Sequence, residues 1–161
     1  MSVQQYYIVH ADLAQLRAPL DDPIMRGFAA RQDEINSQAE RMPGFVIQPV
    51  LADQGKVFNG DMSLSVSVWE EIERLEQFVS NQRHAQLLSR PEEWFVSNDY
   101  PPYVLFWAPA EGKLTESEIK KRFELLHEGG PSTLAFTFER RFTVEAMLTA
   151  ALKNYERQSL V

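Results

Sequence analysis

The spacing of apolar and polar residues changes period several times along the chain. Residues 6–16, YYIVHADLAQL, open with β-branched and aromatic side chains and predict a strand. LRAPLDDP (16–23) reads as a loop that launches a helix, with Asp22 able to cap it and Pro23 at its first position. Ile24, Phe28, Ile35, Ala39 and Met42 then recur at helical spacing up to Pro43-Gly44. Phe45 to Leu51 predicts a second strand, and Ala52 to Gly60 a hairpin loop. Asp61 to Trp69 alternates cleanly. Met62, Leu64, Val66 and Val68 share one face, and Ser63, Ser65, Ser67 and Trp69 share the other. Ile72, Leu75, Phe78 and Val79 predict a second helix, continued by a short helical run from His84 to Phe95 with a break at Pro91. Tyr103 to Ala108 predicts a fourth strand. Thr115 opens a helix with a capping box to Glu118 and Gly129-Gly130 ends it. Ala135 to Phe142 reads as extended. Val144, Leu148, Ala151 and Tyr155 mark a last amphipathic helix.

The order β–α–β–β–α–β followed by extra helices predicts an α+β fold of ferredoxin-like topology. Residues 1–161 form one domain on this pattern, with a core over 6–142 and a helical extension over 143–161. The aliphatic face of the third strand suits helix packing. The serine face, joined by His10 and Asp12 of the first strand, is expected to be the uncovered one. Two such sheets face to face would make a barrel with polar and aromatic pockets, hence an expected homodimer. Leu105 or Phe106, with Tyr103 and Trp107, would then meet the partner sheet. The last helix would pack by its Val144, Leu148, Ala151 and Tyr155 stripe, on its own barrel or across the dimer.

Composition narrows the function classes. The 161 residues contain no cysteine, which removes disulfides, thiolate nucleophiles and cysteine metal sites. Acidic residues outnumber basic ones 23 to 16, against a nucleic-acid partner that would need clustered cations. No stretch approaches the length of a membrane span, and MSVQQYYIVH lacks a leader pattern, so a cytoplasmic protein is expected. No phosphate-cradling glycine motif occurs, and His10, His84 and His127 are too scattered to spell a metal site, so neither a cofactor nor a metal is expected. His127 falls at a helix C-terminus, where an imidazole suits the dipole.

LRAPLDDP (16–23), PGF (43–45), SVSVWE (65–70), RHAQLL (83–88), EWF (93–95), VLFWAPA (104–110) and GPSTLAFTF (130–138) follow one another in order. In this the chain resembles the DUF3291 family, over roughly residues 6–142. That resemblance implies a branch of the dimeric α+β barrel superfamily, alongside antibiotic-biosynthesis monooxygenases. It implies no general reaction. Family members usually carry amide residues where this chain has His10 and Asp12, a departure that could mark an acquired site. Pro91 interrupts a commonly basic and continuous stretch, and the helix at 143–157 runs past the usual family end. The resemblance also places His84 in a recurrent motif.

His10 and Asp12 stand at i and i+2 on one strand face, where a carboxylate can orient an imidazole and raise its basicity. His10, Asp12 and His84 are therefore the candidate catalytic residues. Ser65, Ser67, Trp69, Trp94, Tyr103 and Trp107 are candidates for lining a pocket for an apolar ligand. The serines lack a nucleophile elbow and are rejected as hydrolase nucleophiles. Two functions fit: a cofactor-independent enzyme acting on an apolar aromatic or polycyclic metabolite by oxygenation, cyclisation or isomerisation, with His10 as the base and Asp12 as its orienter, or a non-catalytic or stress-associated barrel that binds a small molecule.

Overall fold

The computed structural model describes residues 4–58, 61–86 and 94–159, the side chains of 83–86 and 159 excepted. In chain order the elements are β1 (Tyr6–Leu16), a 3-10 turn (Pro23–Met25), α1 (Arg26–Glu40), β2 (Phe45–Ile47), β3 (Met62–Trp69), α2 (Ile72–Gln86), β4 (Phe95–Val96), β5 (Tyr103–Pro109), α3 (Glu116–Gly129) and α4 (Val144–Ser159). Every pairing is antiparallel. β1 is paired along both edges, to β3 on one side and to β5 on the other, with β4 continuing the second edge at Gln15 and Leu16. β2 flanks β3. The resulting order β2-β3-β1-β5, with one helix after β1 and one after β3, is the ferredoxin-like topology expected from the pattern.

The register sorts the face shared by His10 and Asp12 into rows. Trp69, Ile8 and Trp107 form one row; Ser67, His10 and Leu105 the next; Ser65, Asp12 and Tyr103 the third; Ser63 and Ala14 the last. The face therefore runs from large and apolar at one end to small and polar at the other. Helices α1 and α2 pack on this face. Ala39 of α1 and Ile72, Leu75 and Phe78 of α2 join Ile8, Trp69 and Leu105 in one buried cluster. Trp69 stacks between Phe45 and Phe78, at ring separations of 5.4 and 5.2 Å.

The opposite face carries Val9, Ala11, Leu13, Val68, Val104 and Phe106, and α3 covers it through Ile119, Phe123 and Leu126, helped by Leu51 and Phe58. Helices therefore lie on both faces. The serine face, expected to be open, is covered by α1 and α2, and the aliphatic face packs on a helix as expected, but on α3, an element beyond the core pattern. The hand of the β1–α1–β2 crossover decides on which face α1 lies, whatever the polarity there. Leu105 and Phe106 are buried within the chain, and Tyr103 and Trp107 are taken up by the segment after α3, through Phe138 and Phe142, so these four do not form the expected sheet-to-sheet contact.

Other expectations shift locally. Asp22 caps as expected, its Oδ1 accepting from the Ile24 N–H at 3.0 Å. On the turn that follows, Met25 is buried while Ile24 is exposed. β2 stops at Ile47 rather than reaching Leu51. Its register slips between Phe45 and Ile47, and Pro49 has no N–H for a ladder. Phe95 is not helical but pairs with Leu16 in β4. The expected break at Pro91 lies outside the described residues. Thr115 caps α3 through the Glu118 N–H at 3.1 Å. Among the described side chains of α4 only Met147 is buried. Leu148, Leu152 and Tyr155 are 45, 58 and 70% exposed, so the stripe does not pack on its own barrel.

A reciprocal carboxylate pair fastens the β2–β3 loop to the start of α3. The Asp53 carboxylate accepts from the Glu116 N–H (2.6 Å), the Ser117 N–H (3.1 Å) and the Ser117 hydroxyl (2.7 Å). In return the Glu116 carboxylate accepts from the Gly55 N–H (2.6 Å) and the Phe58 N–H (2.9 Å). The Glu116 and Ser117 donors hold the Asp53 carboxyl below the usual carboxylate range. A depressed folded-state pKa contributes stability above the unfolded value of 3.8, and that stability is lost as pH falls through the folded value. Asp53→Ala is therefore expected to lower the melting temperature at pH 7 and to differ progressively less from the parent as pH drops below 3.8, as thermal denaturation at both pH values would show.

Candidate active site

The polar rows of the sheet do not meet the helices closely, and the space left is a cavity of about 490 Å³ inside one chain. This volume falls in the range of small-molecule sites, roughly 300–1,000 Å³. The floor is β1 and β3, through His10, Asp12, Ala14, Ser63 and Ser65; the roof is α1, through Phe28, Arg31, Gln32 and Ile35, with Val79 and Gln82 of α2. Trp94 and Phe95 form one wall, and Tyr103 and Phe138 the other. The pocket thus lies between sheet and helices, not between two sheets as the sequence suggested.

Neighbouring contacts fix each wall. Phe28 packs on Trp94 and Phe95 at 6.1 and 5.3 Å. Trp94 approaches α1 so closely that a Cβ on Gly27 would stand 3.0 Å from its ring, which is why glycine occupies that position. On the far side the segment after α3 returns along β5, where Leu105 and Phe136 exchange both backbone hydrogen bonds at 2.9 Å. The Tyr103 hydroxyl accepts from the Phe138 N–H (3.1 Å) and donates to Glu139 Oε2 (2.9 Å). Arg141 pairs with Glu76 of α2. These ties set the Phe138 ring beside His10, 6.1 Å between centroids, with Tyr103 at 5.8 Å.

His10 and Asp12 do reach one cavity. His10 Nε2 lies 3.4 Å from Asp12 Oδ1, an ion-pair contact longer than a charged hydrogen bond. Their exposures differ sharply. The His10 side chain is 8% accessible, held among Tyr103 and Phe138, while Asp12 is 53% accessible because it borders the open cavity. Burial pushes the Asp12 carboxyl above its usual value, and nearby His10 opposes the shift in part.

Among the other candidates, Ser65 and Trp94 line the cavity, and Ser65 accepts a hydrogen bond from Gln32 Nε2 at 3.1 Å. Ser67, Trp69 and Trp107 do not line it. Ser67 Oγ accepts from the Trp69 indole at 2.9 Å, Trp69 is fully buried in the core, and the Trp107 indole donates to the Phe142 carbonyl at 2.8 Å. Trp69 and Trp107 share the apolar end row with Ile8, and the Trp69 indole takes up the Ser67 hydroxyl. His84 lies on α2, but its side chain is outside the described residues. His127 sits in the last turn of α3, remote in sequence from the cavity's lining. The sequence reading missed Arg31, Gln32 and Gln82. Gln82 donates to Gln38 Oε1 at 2.6 Å. Arg31 and Gln32 follow Phe28 by three and four residues and precede Ile35, so helical spacing could have placed them on the inward stripe. Among the described residues no three His, Asp or Glu gather to hold a metal, and no helix is long and apolar enough to cross a membrane.

The chain belongs to the DUF3291 family, a domain of unknown function, whose model matches residues 8–152. The match runs into α4, so this helix is not wholly an addition beyond the family's end, as the sequence suggested. Among solved structures the chain is similar to PA3566 of Pseudomonas aeruginosa, with 7% identity and a TM-score of 0.46, covering 69% of this chain and 100% of that one. It is also similar to a Nitrosomonas europaea protein provisionally named an antibiotic biosynthesis monooxygenase, with 10% identity and a TM-score of 0.43, covering 70% of this chain and 94% of that one. No protein of curated function matches the chain.

A carboxyl with a raised pKa makes the folded state hold its proton more tightly than the unfolded state does. Stability attributable to Asp12 is therefore greatest below 3.8 and declines as pH rises through the folded value. Asp12→Asn is expected to raise the melting temperature at pH 7, with no such gain at pH values below 3.8. Equal or lower melting temperatures for the variant at pH 7 would contradict this electrostatic description of the site.

Proposed function

We propose that this protein is a cofactor-independent enzyme that takes a proton from an apolar aromatic or polycyclic metabolite within the sheet–helix cavity. The observation that carries the proposal is the His10–Asp12 pair: two ionisable groups 3.4 Å apart in a pocket whose apolar lining is Phe28, Ile35, Trp94, Phe95 and Phe138. Structural packing alone does not call for such a pair, and perturbed carboxylates gather at functional sites. The two residues exchange the roles expected from the sequence. Asp12, bordering the open space, is the proton acceptor. His10, buried behind it, is the positioning residue that steadies the carboxylate charge. A carboxylate with a raised pKa is also a stronger base than an ordinary one. Taking a proton from a carbon next to a carbonyl leaves an enolate, from which isomerisation, cyclisation or reaction with dioxygen can proceed.

Deuterium exchange into 2-tetralone, followed by NMR in heavy water, tests the step without knowledge of the natural substrate. The protein is expected to accelerate exchange, and Asp12→Asn to reduce the acceleration by about 10²–10⁴-fold, the usual contribution of a positioned base. His10→Gln is expected to give a smaller loss and to move the pH dependence of the rate. Exchange no faster than in buffer, with the ketone shown to bind, would favour the non-catalytic ligand-binding barrel instead.

The protein is further proposed to work as a homodimer. Leu148, Leu152 and Tyr155 form an exposed apolar stripe on α4, and Met62, Leu64 and Val66 of β3 are only half-buried on the face that α3 covers. Sedimentation is expected to give twice the chain mass of 18.6 kDa for the parent and the single mass for Leu152→Glu. A monodisperse monomer of the parent at micromolar concentration would overturn the dimer.

A further inference from the structure

Within the cavity, α1 presents a cation at a position where the helix faces the sheet. Phe28, Arg31, Gln32 and Ile35 occupy i, i+3, i+4 and i+7 of one stripe, and all four line the pocket. Gln32 is taken up by Ser65, and Gln82 by Gln38. Arg31 is different. Its Nη2 is shielded from solvent and has no hydrogen-bond partner among the described residues. Asp12 lines the same pocket, yet its neighbour is His10, and among the described residues no pairing with Arg31 occurs. A guanidinium cannot shed its proton to escape this situation. A buried donor left unpaired is costly, and it stays in a fold when something else satisfies it.

We propose that Arg31 anchors the carboxylate of an aromatic ligand held in this cavity. The inference rests on the same pocket as the proposed proton transfer and narrows its substrate to apolar ring systems bearing an acid group. The rings would lie among Phe28, Trp94, Phe95 and Phe138, which line the space. The carboxylate would accept from Arg31 Nη2, the fork geometry of the guanidinium allowing a second bond. Anchor and base are supplied by different elements, α1 and β1, so the ligand's acid group is held by one while its reacting carbon meets the other.

Calorimetric titration with 2-naphthoate and its neutral isostere 2-naphthamide tests the anchor. The parent protein is expected to bind the naphthoate about 10–100-fold more tightly than the amide, the range for a hydrogen bond to a charged group. Arg31→Met should abolish this preference while leaving amide affinity near that of the parent, and Arg31→Lys should restore part of it. The melting temperature of Arg31→Met should equal or exceed that of the parent, since the variant removes a buried donor that lacks a partner; a marked fall would indicate a structural arginine and overturn the proposal. Equal affinity of the parent for both probes would overturn the anchor and leave the proton-transfer site standing. Binding of neither probe would overturn the anchor and count equally against the cavity as a site for aromatic ligands. Asp12→Asn should retain the preference for naphthoate, so that loss of proton transfer and loss of the anchor are read separately.

Discussion

The pairing of β1 along both edges is the constraint from which the site follows. A strand hydrogen-bonded on two sides cannot slip by one residue without moving all of its side chains to the opposite faces. Ile8, His10 and Asp12 are thereby locked into rows with Trp69, Ser67 and Ser65 on one neighbour and with Trp107, Leu105 and Tyr103 on the other. The large end of the face lets α1 and α2 pack tightly, through Ala39, Leu75 and Phe78. The small end cannot fill the same gap, because serine and alanine are too short. The cavity is thus the low end of a graded surface covered by two stiff helices. Trp69 at the high end acts as the spacer; removing such a buried side chain typically costs about 3–5 kcal/mol.

Much of this was legible in the sequence, and the errors have one physical origin. Strand alternation identifies which residues share a face but contains nothing about which face the crossover helices take. The alternation of MSLSVSVW therefore placed the serines together correctly and then assigned them to the open side. Once that side was chosen, Tyr103 and Trp107 were sent to a partner sheet instead of to the segment after α3. His10 and Asp12 survived this error because i and i+2 on a strand are neighbours on either face. Arg31 did not surface because the helix was read through its apolar members alone, although the same spacing that picked Phe28 and Ile35 includes it. The staple between Asp53 and Glu116 joins residues 63 apart and leaves no local pattern for a reader to find.

Three of the groups facing the cavity are poorly served by the fold itself. Burial disfavours the charged form of Asp12, Arg31 Nη2 lacks a partner among the described residues, and His10 is nearly buried beside a carboxylate it does not closely hydrogen-bond. A chain under selection for stability alone would replace such groups with residues that pack or pair. The rest of the molecule shows the contrary habit: Glu116 is buried but receives two backbone donors, and Gln82 is buried but reaches Gln38. Unsatisfied chemistry is therefore not spread through the structure as loose packing would spread it. It converges on one space that is sized for a small molecule and closed by aromatic rings.

The elements outside the ferredoxin-like core are what make that space durable. Helix α3 covers the aliphatic face and leaves α1 and α2 free to stand over the polar one. The segment that follows it runs back along β5 and brings Phe138 to the pocket wall, held by Tyr103 and, beyond it, by the Arg141–Glu76 pair. The Trp107 indole reaches the Phe142 carbonyl just before α4 begins. Each of these contacts joins the C-terminal third of the chain to the sheet or to α2. The family match to residue 152 embraces this entire return path. This return path builds part of the cavity, because without Phe138 the space would lose the wall that stands beside His10.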